Sequence, residues 1–340
     1  MLVVAALAVT GMAVAFSATP ASAQSAPGVI AKASISNSWQ VRSQAATATQ
    51  AITTCKSGST SYNRFSNCKH SPNVIIHLVN GKPDGGVAFV IDQTDLLAVK
   101  STTITEQVEI HDILSLNLPE PIELGVTATC GTGCRGDSHP PVALRTGATY
   151  TFDLHFVSSV ARNAVRASTP TYTWTASIGQ TKTIRGRQWR CDDTLREGAG
   201  CVYPTYVPTI SMAGLKFVAA SISNIQAHGG PRLLHRNSLL TRTNRRAVCR
   251  HMRLPHNWTP PPGWPLPIHK RANRPSCDEY PFAGTWEGGT RLPASQRGTA
   301  WVPQGENDSQ GGQLNAFYLA NRVLNATSVK TKGDAFYVAA

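Results

Sequence analysis

The sequence has 340 residues, of which 41% are hydrophobic and 15% are charged. This composition excludes a disordered or collagen-like chain, and the length allows one large domain or two of roughly 100–200 residues each. Lys and Arg number 32 against 19 Asp and Glu, for a net charge of +13. Residues 229–340 alone carry 15 basic and 6 acidic side chains. A polyanionic partner is therefore expected to bind the C-terminal third.

The N-terminus has the pattern of a secretory signal peptide over residues 1–23. An uncharged apolar run, residues 2–16, is followed by small residues that end in Ala-Ser-Ala23. A membrane anchor is the alternative, but the run is short for a bilayer span, and no later segment is long and apolar enough to cross a membrane. We expect a secreted, extracellular protein with no membrane contact after cleavage. Residues 24–50 are expected to form a lead-in segment.

Eight cysteines follow the predicted cleavage site, which favours four disulfides in an oxidising compartment. Eight cysteines allow 105 connectivities, and the nearest-neighbour scheme is preferred: Cys55–Cys68, Cys130–Cys134, Cys191–Cys201 and Cys249–Cys277. The alternative is a zinc site formed by Cys249, His251, His256 and Cys277. Its spacing matches no common zinc finger.

Residues 51–188 are predicted to form an antiparallel β-rich domain, a sandwich or a barrel. Residues 150–156 alternate, so that every second side chain is apolar, and residues 171–178 do the same. Residues 73–79 and 87–91 predict a hairpin with a long loop at residues 80–86. No catalytic pattern occurs in this region, and its role is open: attachment, inhibition before export and shielding would all fit, with a surface or an inhibitor as the partner.

Three of the six acidic residues of the C-terminal third lie within ten positions of one another: Asp278, Glu279 and Glu287. Acids placed together repel one another unless a cation sits among them, and a hard divalent metal with oxygen ligands would be such a cation. Two alternatives to a metal site are open. The acids could be a general acid/base pair acting on a sugar, or solvated side chains at the end of a strand.

The sequence after these acids predicts a helix and a closing strand. Residues 310–324 show apolar side chains on one face, with a cap expected at Asn307, Asp308 or Ser309. Residues 333–338 have the pattern of a strand. The expected order is strand, loop, strand, helix, strand.

Five short motifs follow one another in this region, at residues 277–283 (CDEYPFA), 287–289 (EGG), 306–307 (EN), 310–318 (QGGQLNAFY) and 334–338 (DAFYV). With an Arg-Cys-Asp lead-in at 190–192 and Leu-His-Arg at 234–236, this pattern resembles the NucA/NucB-type secreted deoxyribonucleases, above all the actinobacterial ones. The resemblance covers about residues 190–340. It implies an α+β chain, in which the β-rich domain precedes a small ββα-metal nuclease domain at 189–340.

The resemblance also implies roles for individual residues. Asp278 and Glu279 match the pair that supplies the general base and part of the metal shell. Glu287 and Asn307 match positions assigned to catalysis and, with Asp278, to metal binding. Gln310 and Gln313 match polar helix positions that would contact nucleic acid. The implied cofactor is Mg²⁺ or Mn²⁺, and the implied substrate is DNA or, as an open possibility, RNA.

Basic residues near the acid cluster are candidates for binding the phosphate backbone: Arg242, Arg245, Arg246, Arg250, Arg253, Lys270, Arg271 and Arg274. The expected activity is metal-assisted phosphodiester hydrolysis with little sequence specificity. Two further functions are open at this point. One is a carboxylate-based glycosidase with Trp258, Trp264 and Trp286 lining its cleft. The second is a secreted binding protein with an inactive nuclease-like domain.

Overall fold

A computed structural model describes residues 32–34, 61–80 and 82–340. The predicted signal peptide, residues 1–23, and Cys55 lie outside the described residues. Of the predicted lead-in segment only residues 32–34 are described, and they form a strand. The described chain forms two lobes, each with its own hydrophobic core.

The N-terminal lobe, which comprises the described residues up to 203, contains only β-strands as regular elements. In chain order they are β1 Lys32–Ser34, β2 Ser61–Tyr62, β3 Ser66–Val79, β4 Lys82–Ala98, β5 Ser101–Leu116, β6 Glu123–Thr129, β7 Cys134–Arg135, β8 Ser138–Ala143, β9 Tyr150–Ser158, β10 Val165–Ser168, β11 Thr171–Ala176, β12 Gln180–Arg185, β13 Trp189–Asp192 and β14 Gly200–Val202.

Two antiparallel sheets of this lobe share one core. The larger has the order β1-β3-β4-β5-β9-β7, with β2 paired to β3, and the smaller has the order β12-β11-β6-β8. Phe89 and Phe156 from the larger sheet join Val126 and Trp174 from the smaller one in this core. Apolar side chains at every second position let each sheet bury one face. The α+β class and the predominance of antiparallel sheets are confirmed.

The predicted loop at residues 80–86 is wrong, because β4 already begins at Lys82. The two glycines that suggested a loop lie within the strand. A Cβ atom at Gly85 would come within 2.6 Å of the carbonyl oxygen of Asn117, and one at Gly86 within 2.6 Å of that of Ile75. These glycines thus permit close approach of neighbouring backbones, which a single sequence does not distinguish from a turn.

The C-terminal lobe, residues 209–340, combines short strands with three α-helices. In chain order they are β15 Thr209–Ser211, α1 Lys216–Ala227, β16 Leu233–His235, α2 Thr241–Cys249, β17 Pro275–Tyr280, β18 Gly298–Pro303, α3 Gln304–Ala320 and β19 Ala335–Ala339. Strands β17 and β18 form an antiparallel hairpin, and β15-β19-β16 form a mixed sheet in which β15 and β19 are parallel. Val218, Ile222, Tyr280 and Phe336 lie in the core between these elements.

The predicted order of strand, strand, helix and closing strand is confirmed by β17, β18, α3 and β19. The predicted start of the helix is wrong, since α3 begins at Gln304 directly after β18 and Pro303 occupies its N-cap position. Asn307 lies inside the helix and is buried, because its side chain contacts β17 instead of capping the first turn.

A buried network of three arginines and two aspartates joins the lobes. Arg322 and Asp192 are both fully buried, and Arg322 Nε donates to Asp192 Oδ2 at 3.0 Å. Asp334 accepts from Arg190 Nη1 at 2.7 Å and from Arg64 Nη2 at 3.0 Å. Buried charges persist only where they are paired and hydrogen-bonded, so this network fixes how the lobes meet.

The chain passes from the first core to the second between Tyr203 and Ile210. Trp189, Cys191 and Tyr203 pack into the first core, whereas the second core begins at Ile210. Residues 189–203 therefore pack as part of the β-rich lobe. The division at residues 188 and 189 remains a prediction about which segment can fold alone.

Three of the four predicted disulfides are confirmed: Cys130–Cys134, Cys191–Cys201 and Cys249–Cys277. The zinc alternative is contradicted, because Cys249 and Cys277 are bonded to each other. Cys68 is also disulfide-bonded, but its predicted partner Cys55 lies outside the described residues. Within the described part of the chain, no helix has the length and apolarity needed to cross a membrane.

Arg322→Met is expected to lower the free energy of unfolding by about 3–5 kcal/mol, because the Asp192 carboxylate would stay buried without its partner. Lys100→Met is the control, since Lys100 is well exposed and lies 3.0 Å from Glu197. Loss of that surface pair should leave the free energy of unfolding nearly unchanged. Urea unfolding of wild type and both variants measures the difference, and equal midpoints would contradict the role given to Arg322.

Candidate active site

A cavity of about 410 Å³ opens between α2, β17 and α3. We call it the acid cavity. Its polar lining combines three acids, four amides and two arginines: Asp278, Glu279, Asp308, Gln304, Asn307, Gln310, Asn315, Arg236 and Arg245. Carboxylate and amide oxygens beside guanidinium groups can accommodate both a cation and a phosphate.

Asp278 is held on the α3 side of the cavity and is only 4% exposed. Gln310 Nε2 donates to its Oδ2 at 3.3 Å. Burial, with the negative charge of Glu279 as the second cause, raises the pKa of Asp278 to about 7. An ionised Asp278 is therefore unstable here unless positive charge is close to it.

Glu279 follows Asp278 on β17 and faces α2, because successive side chains of a strand point to opposite sides. Its Oε2 lies 3.1 Å from the Sγ of Cys249, which belongs to the disulfide that joins α2 to β17. Burial raises the pKa of Glu279, while the charge of Arg245 and the backbone N–H of Ala283 lower it. Glu279 is thus a buried carboxylate with the positive charge of Arg245 near it.

Asn307 and Gln310 reach the acids from the first turns of α3. Asn307 Nδ2 donates to Ser276 Oγ at 2.9 Å and to the carbonyl oxygen of Cys277 at 3.1 Å. With its nitrogen occupied by β17, the amide of Asn307 keeps Oδ1 as the atom that can serve a ligand. The structure therefore brings Asp278, Glu279, Asn307 and Gln310 together around one cavity.

Glu287 does not line the acid cavity. Its Oε1 lies 2.7 Å from His235 Nδ1, its Oε2 accepts the backbone N–H of His235 at 2.9 Å, and Lys332 Nζ is 3.9 Å away. These donors draw Glu287 to the β16 side of the loop that follows β17. The predicted metal set of Asp278, Glu287 and Asn307 is therefore not assembled at one point.

Arg236 is a cavity residue for which the sequence pattern predicts no role. Its Nη1 donates to the carbonyl oxygen of Val323 at 2.6 Å, and its guanidinium lies 4.4 Å from the centre of the Tyr318 ring. Its Nε is buried and has no hydrogen-bond partner among the described residues. A buried donor without a partner is costly, and a phosphate oxygen would satisfy it. The only signal in the sequence was the Leu-His-Arg motif that contains it.

The basic residues predicted to bind nucleic acid fall into two groups beside the cavity. Arg242, Arg245 and Arg246 are exposed on one face of α2, at the i, i+3 and i+4 spacing that makes helix residues neighbours. With Arg250 they line an open groove, and Arg245 borders both this groove and the acid cavity. We call these four side chains the arginine face.

The second basic group precedes β17 and consists of Lys270, Arg271 and Arg274, all exposed. The backbone of Arg274 accepts the N–H of Gln304, so this group flanks the start of α3. Arg253 is exposed in the irregular segment after α2. Gln313 is also exposed but does not line the cavity, whereas Gln310 is buried and holds Asp278.

The donor set of the acid cavity fits a hard divalent cation. Asp278 and Glu279 supply carboxylates and Asn307 supplies an amide oxygen, the ligand types that Mg²⁺ and Mn²⁺ prefer. Cys249 and Cys277 lie close to Glu279, but both are in a disulfide and provide no thiolate. Positive charge at this position would also relieve the repulsion that raises the pKa of Asp278.

Comparison with known families gives one match. Residues 234–338 match the family model described as Deoxyribonuclease NucA/NucB. The matched range contains α2, β17, β18 and α3, and thus every residue that lines the acid cavity. A search of curated proteins finds no match to the chain.

Asp278→Asn is expected to stabilise the metal-free protein at pH 8. The folded carboxyl, with a pKa of about 7 against an ordinary 3.8, holds its proton more tightly than the unfolded one, so stability is lost as the pH rises through about 7. Asparagine has no such loss, and the free energy of unfolding should rise by about 2–4 kcal/mol at pH 8 and stay nearly unchanged at pH 4.

Urea unfolding in EDTA at the two pH values measures this effect. Asp308→Asn is the matched control, because Asp308 lines the same cavity but is exposed. It should change stability by less than about 0.5 kcal/mol. A chain carrying Asp278→Asn that is no more stable than wild type at pH 8 would contradict the electrostatic account of the cavity.

Proposed function

We propose, from the match of residues 234–338 to the NucA/NucB deoxyribonuclease family model, that the protein is a secreted, metal-dependent endonuclease that hydrolyses DNA phosphodiester bonds with little sequence specificity. The observation that carries the proposal is the acid cavity, with buried carboxylates at its floor and an arginine face beside it. A phosphate chain attracted to α2 would pass directly over the acids.

Asp278 and Asn307 would hold the divalent cation, Mg²⁺ or Mn²⁺, with Gln310 fixing the orientation of Asp278. When bound, the cation supplies Lewis-acid stabilisation of the charge that develops on the phosphate. Glu287 is assigned a positioning role instead, since its oxygens are engaged by His235. Through that contact it anchors the loop after β17 to β16.

Glu279 would act as the general base. It is buried at the cavity wall, and the neighbouring Arg245 favours its ionised form. In the proposed reaction Glu279 accepts a proton from the attacking water. Arg236 and Arg245 would donate hydrogen bonds to non-bridging phosphate oxygens and so hold the phosphate beside Glu279 as the new P–O bond to water forms and the bond to the leaving sugar oxygen breaks.

Low sequence specificity follows from the kind of contact that the surface offers. The arginine face, Lys270, Arg271 and Arg274 present flexible cationic side chains that bind phosphates and read no base edges. RNA carries the same phosphates, so preference for DNA is a separate part of the proposal and rests on the family. Secretion is supported by the three disulfides, which persist in oxidising surroundings.

The glycosidase alternative has little support from the aromatic residues nominated for it. Trp264 is buried, with its Nε1 donating to the carbonyl oxygen of Asn273 at 2.7 Å, and Trp258 packs against it. Trp286 lies beneath Arg291, whose guanidinium is 4.0 Å from the ring centre. None of the three lines the acid cavity. The cavity therefore offers no tryptophan platform for a sugar.

Glu279→Gln is expected to lower the rate of plasmid nicking at least about 100-fold while the fold survives, because general-base catalysis is worth roughly 10²–10⁴ in rate. EDTA should abolish nicking by wild type, and added Mg²⁺ or Mn²⁺ should restore it. Agarose gels with supercoiled plasmid measure both effects.

Glu287→Gln is the matched control, a buried glutamate of the same lobe outside the acid cavity. At temperatures where it is folded, this variant should nick plasmid at a rate within about tenfold of that of wild type. Loss of the Glu287 carboxylate leaves the base and the proposed cation ligands in place. Full activity of Glu279→Gln, or of wild type in EDTA, would remove Glu279 or the metal from the mechanism.

Arg242→Gln combined with Arg246→Gln is expected to weaken binding to a DNA duplex and to reduce the slope of log K against log salt by about 2, one for each arginine that no longer neutralises a phosphate. Arg162→Gln, at an exposed position in the N-terminal lobe, is the control and should leave the slope unchanged. Fluorescence anisotropy in EDTA at several salt concentrations gives the slopes. An unchanged slope in the double variant would exclude α2 as the DNA-binding surface.

A further inference from the structure

Two histidines and an aspartate converge on the outer face of the larger sheet, far in sequence from the acid cavity. His70 lies on β3, Asp92 on β4 and His111 on β5, which are neighbouring strands. His70 and Asp92 are direct cross-strand partners. The core side chains of these strands, such as Ile91 and Ile110, point to the opposite face.

The ligand atoms of the three side chains lie close enough to share one ion. His70 Nδ1 is 2.7 Å from Asp92 Oδ1, and His111 Nε2 is 3.2 Å from Asp92 Oδ2. One nitrogen from each ring and one carboxylate oxygen all lie within 4.8 Å of one another. Each side chain is between 13% and 21% exposed, so an ion can enter from solvent.

The side chain of Asp112, the next residue in the chain, makes a further contact with His111 that is typical of metal sites. His111 Nδ1 lies 3.2 Å from Asp112 Oδ2, so that the ring has one nitrogen held by a carboxylate and the other turned to Asp92. A carboxylate on the second nitrogen fixes the tautomer and raises the basicity of a metal-binding histidine.

Asp112 adopts a positive φ of 52°, next to the irregularity in the β4–β5 register that lies between Ala88 and Val90. An L-residue in this conformation is uncommon and costs free energy. Regular pleating would direct the exposed Asp112 carboxylate to the face opposite the His111 ring. The bulge instead brings the carboxylate beside that ring.

We propose that His70, Asp92 and His111 form a binding site for a transition-metal cation of the Zn²⁺ class, with Asp112 positioning His111. Two imidazole nitrogens and one carboxylate oxygen suit Zn²⁺ better than Mg²⁺, which prefers oxygen ligands alone. Metal binding would replace the 2.7 Å contact between His70 and Asp92. Three protein ligands leave a coordination position open to water on the solvent side.

Titration with Zn²⁺ and Co²⁺ tests the site in the full chain carrying Asp278→Asn, which removes the proposed cation ligand of the acid cavity. Calorimetry should show one equivalent of bound Zn²⁺, and Co²⁺ should give visible absorption with nitrogen ligation. His70→Gln or His111→Gln added to this background should weaken binding at least about 100-fold, and Asp112→Asn about tenfold.

His155→Gln is the matched control, because His155 pairs with Asp137 on the same sheet at 3.3 Å but has no third ligand among the described residues. It should leave Zn²⁺ affinity unchanged. Absence of bound Zn²⁺ in the parent chain, or binding that survives His70→Gln and His111→Gln, would overturn the proposal. Neither result bears on the proposed nuclease function, which is measured by DNA cleavage.

Discussion

Two adjacent carboxylates buried on one short strand are the constraint on which the C-terminal lobe depends. Asp278 and Glu279 repel each other, and burial raises the pKa of both. The surrounding elements hold them despite this cost. The disulfide from α2 fixes the strand on one side, and Asn307 and Gln310 of α3 hold it on the other. Such a site is unfavourable for a resting protein and favourable for one that binds a cation.

The position of α2 sets the proposed DNA-binding surface beside this cavity. Asn244 is the buried residue of the helix, and its Nδ2 donates to the carbonyl oxygens of Ala283 and Thr285 in the loop after β17. One side of α2 is thereby hydrogen-bonded to the loop after β17, while its other side presents the arginine face. Arg245 belongs to both the face and the cavity, so in the proposed reaction electrostatic attraction of a phosphate chain and chemistry on one phosphate would occur at adjoining positions.

The N-terminal lobe is joined to this lobe through buried ion pairs. Arg322 follows α3, and its partner Asp192 lies on β13. Arg64 and Arg190 reach Asp334, immediately before β19. The end of α3 and the approach to β19 are thus fixed by the β-rich lobe. The two lobes should therefore unfold as a coupled unit.

Local patterns predicted the elements whose burial follows a regular period. The alternation at residues 150–156 and 171–178 identified β9 and β11, and the acid motif identified the strand that carries the site. Sequence spacing failed where a distant partner decides the outcome. Glu287 is only nine residues from Asp278, yet His235 holds it outside the cavity. Arg236 lines the cavity against the Tyr318 ring of α3, a contact between residues 82 positions apart in the chain.

Long-range polar clusters were invisible for the same reason. Arg322 and Asp192 are 130 residues apart, and nothing local marks either as buried. In the N-terminal core, Glu106 accepts from Tyr172 and Gln93, and burial raises the pKa of Glu106. His70, Asp92 and His111 meet only through strand register. These arrangements depend on the topology of the fold, which local patterns in a single sequence do not reveal.

Anomalous scattering from a crystal soaked in Mn²⁺, with a phosphorothioate oligonucleotide that resists cleavage, tests the central claim most directly. We predict one strong manganese peak in the acid cavity, within about 2.2 Å of an Asp278 oxygen and of Asn307 Oδ1. A phosphate of the oligonucleotide should contact Arg236. A cavity with no manganese at millimolar supply, or a peak beside Glu287 instead, would contradict the proposed metal site.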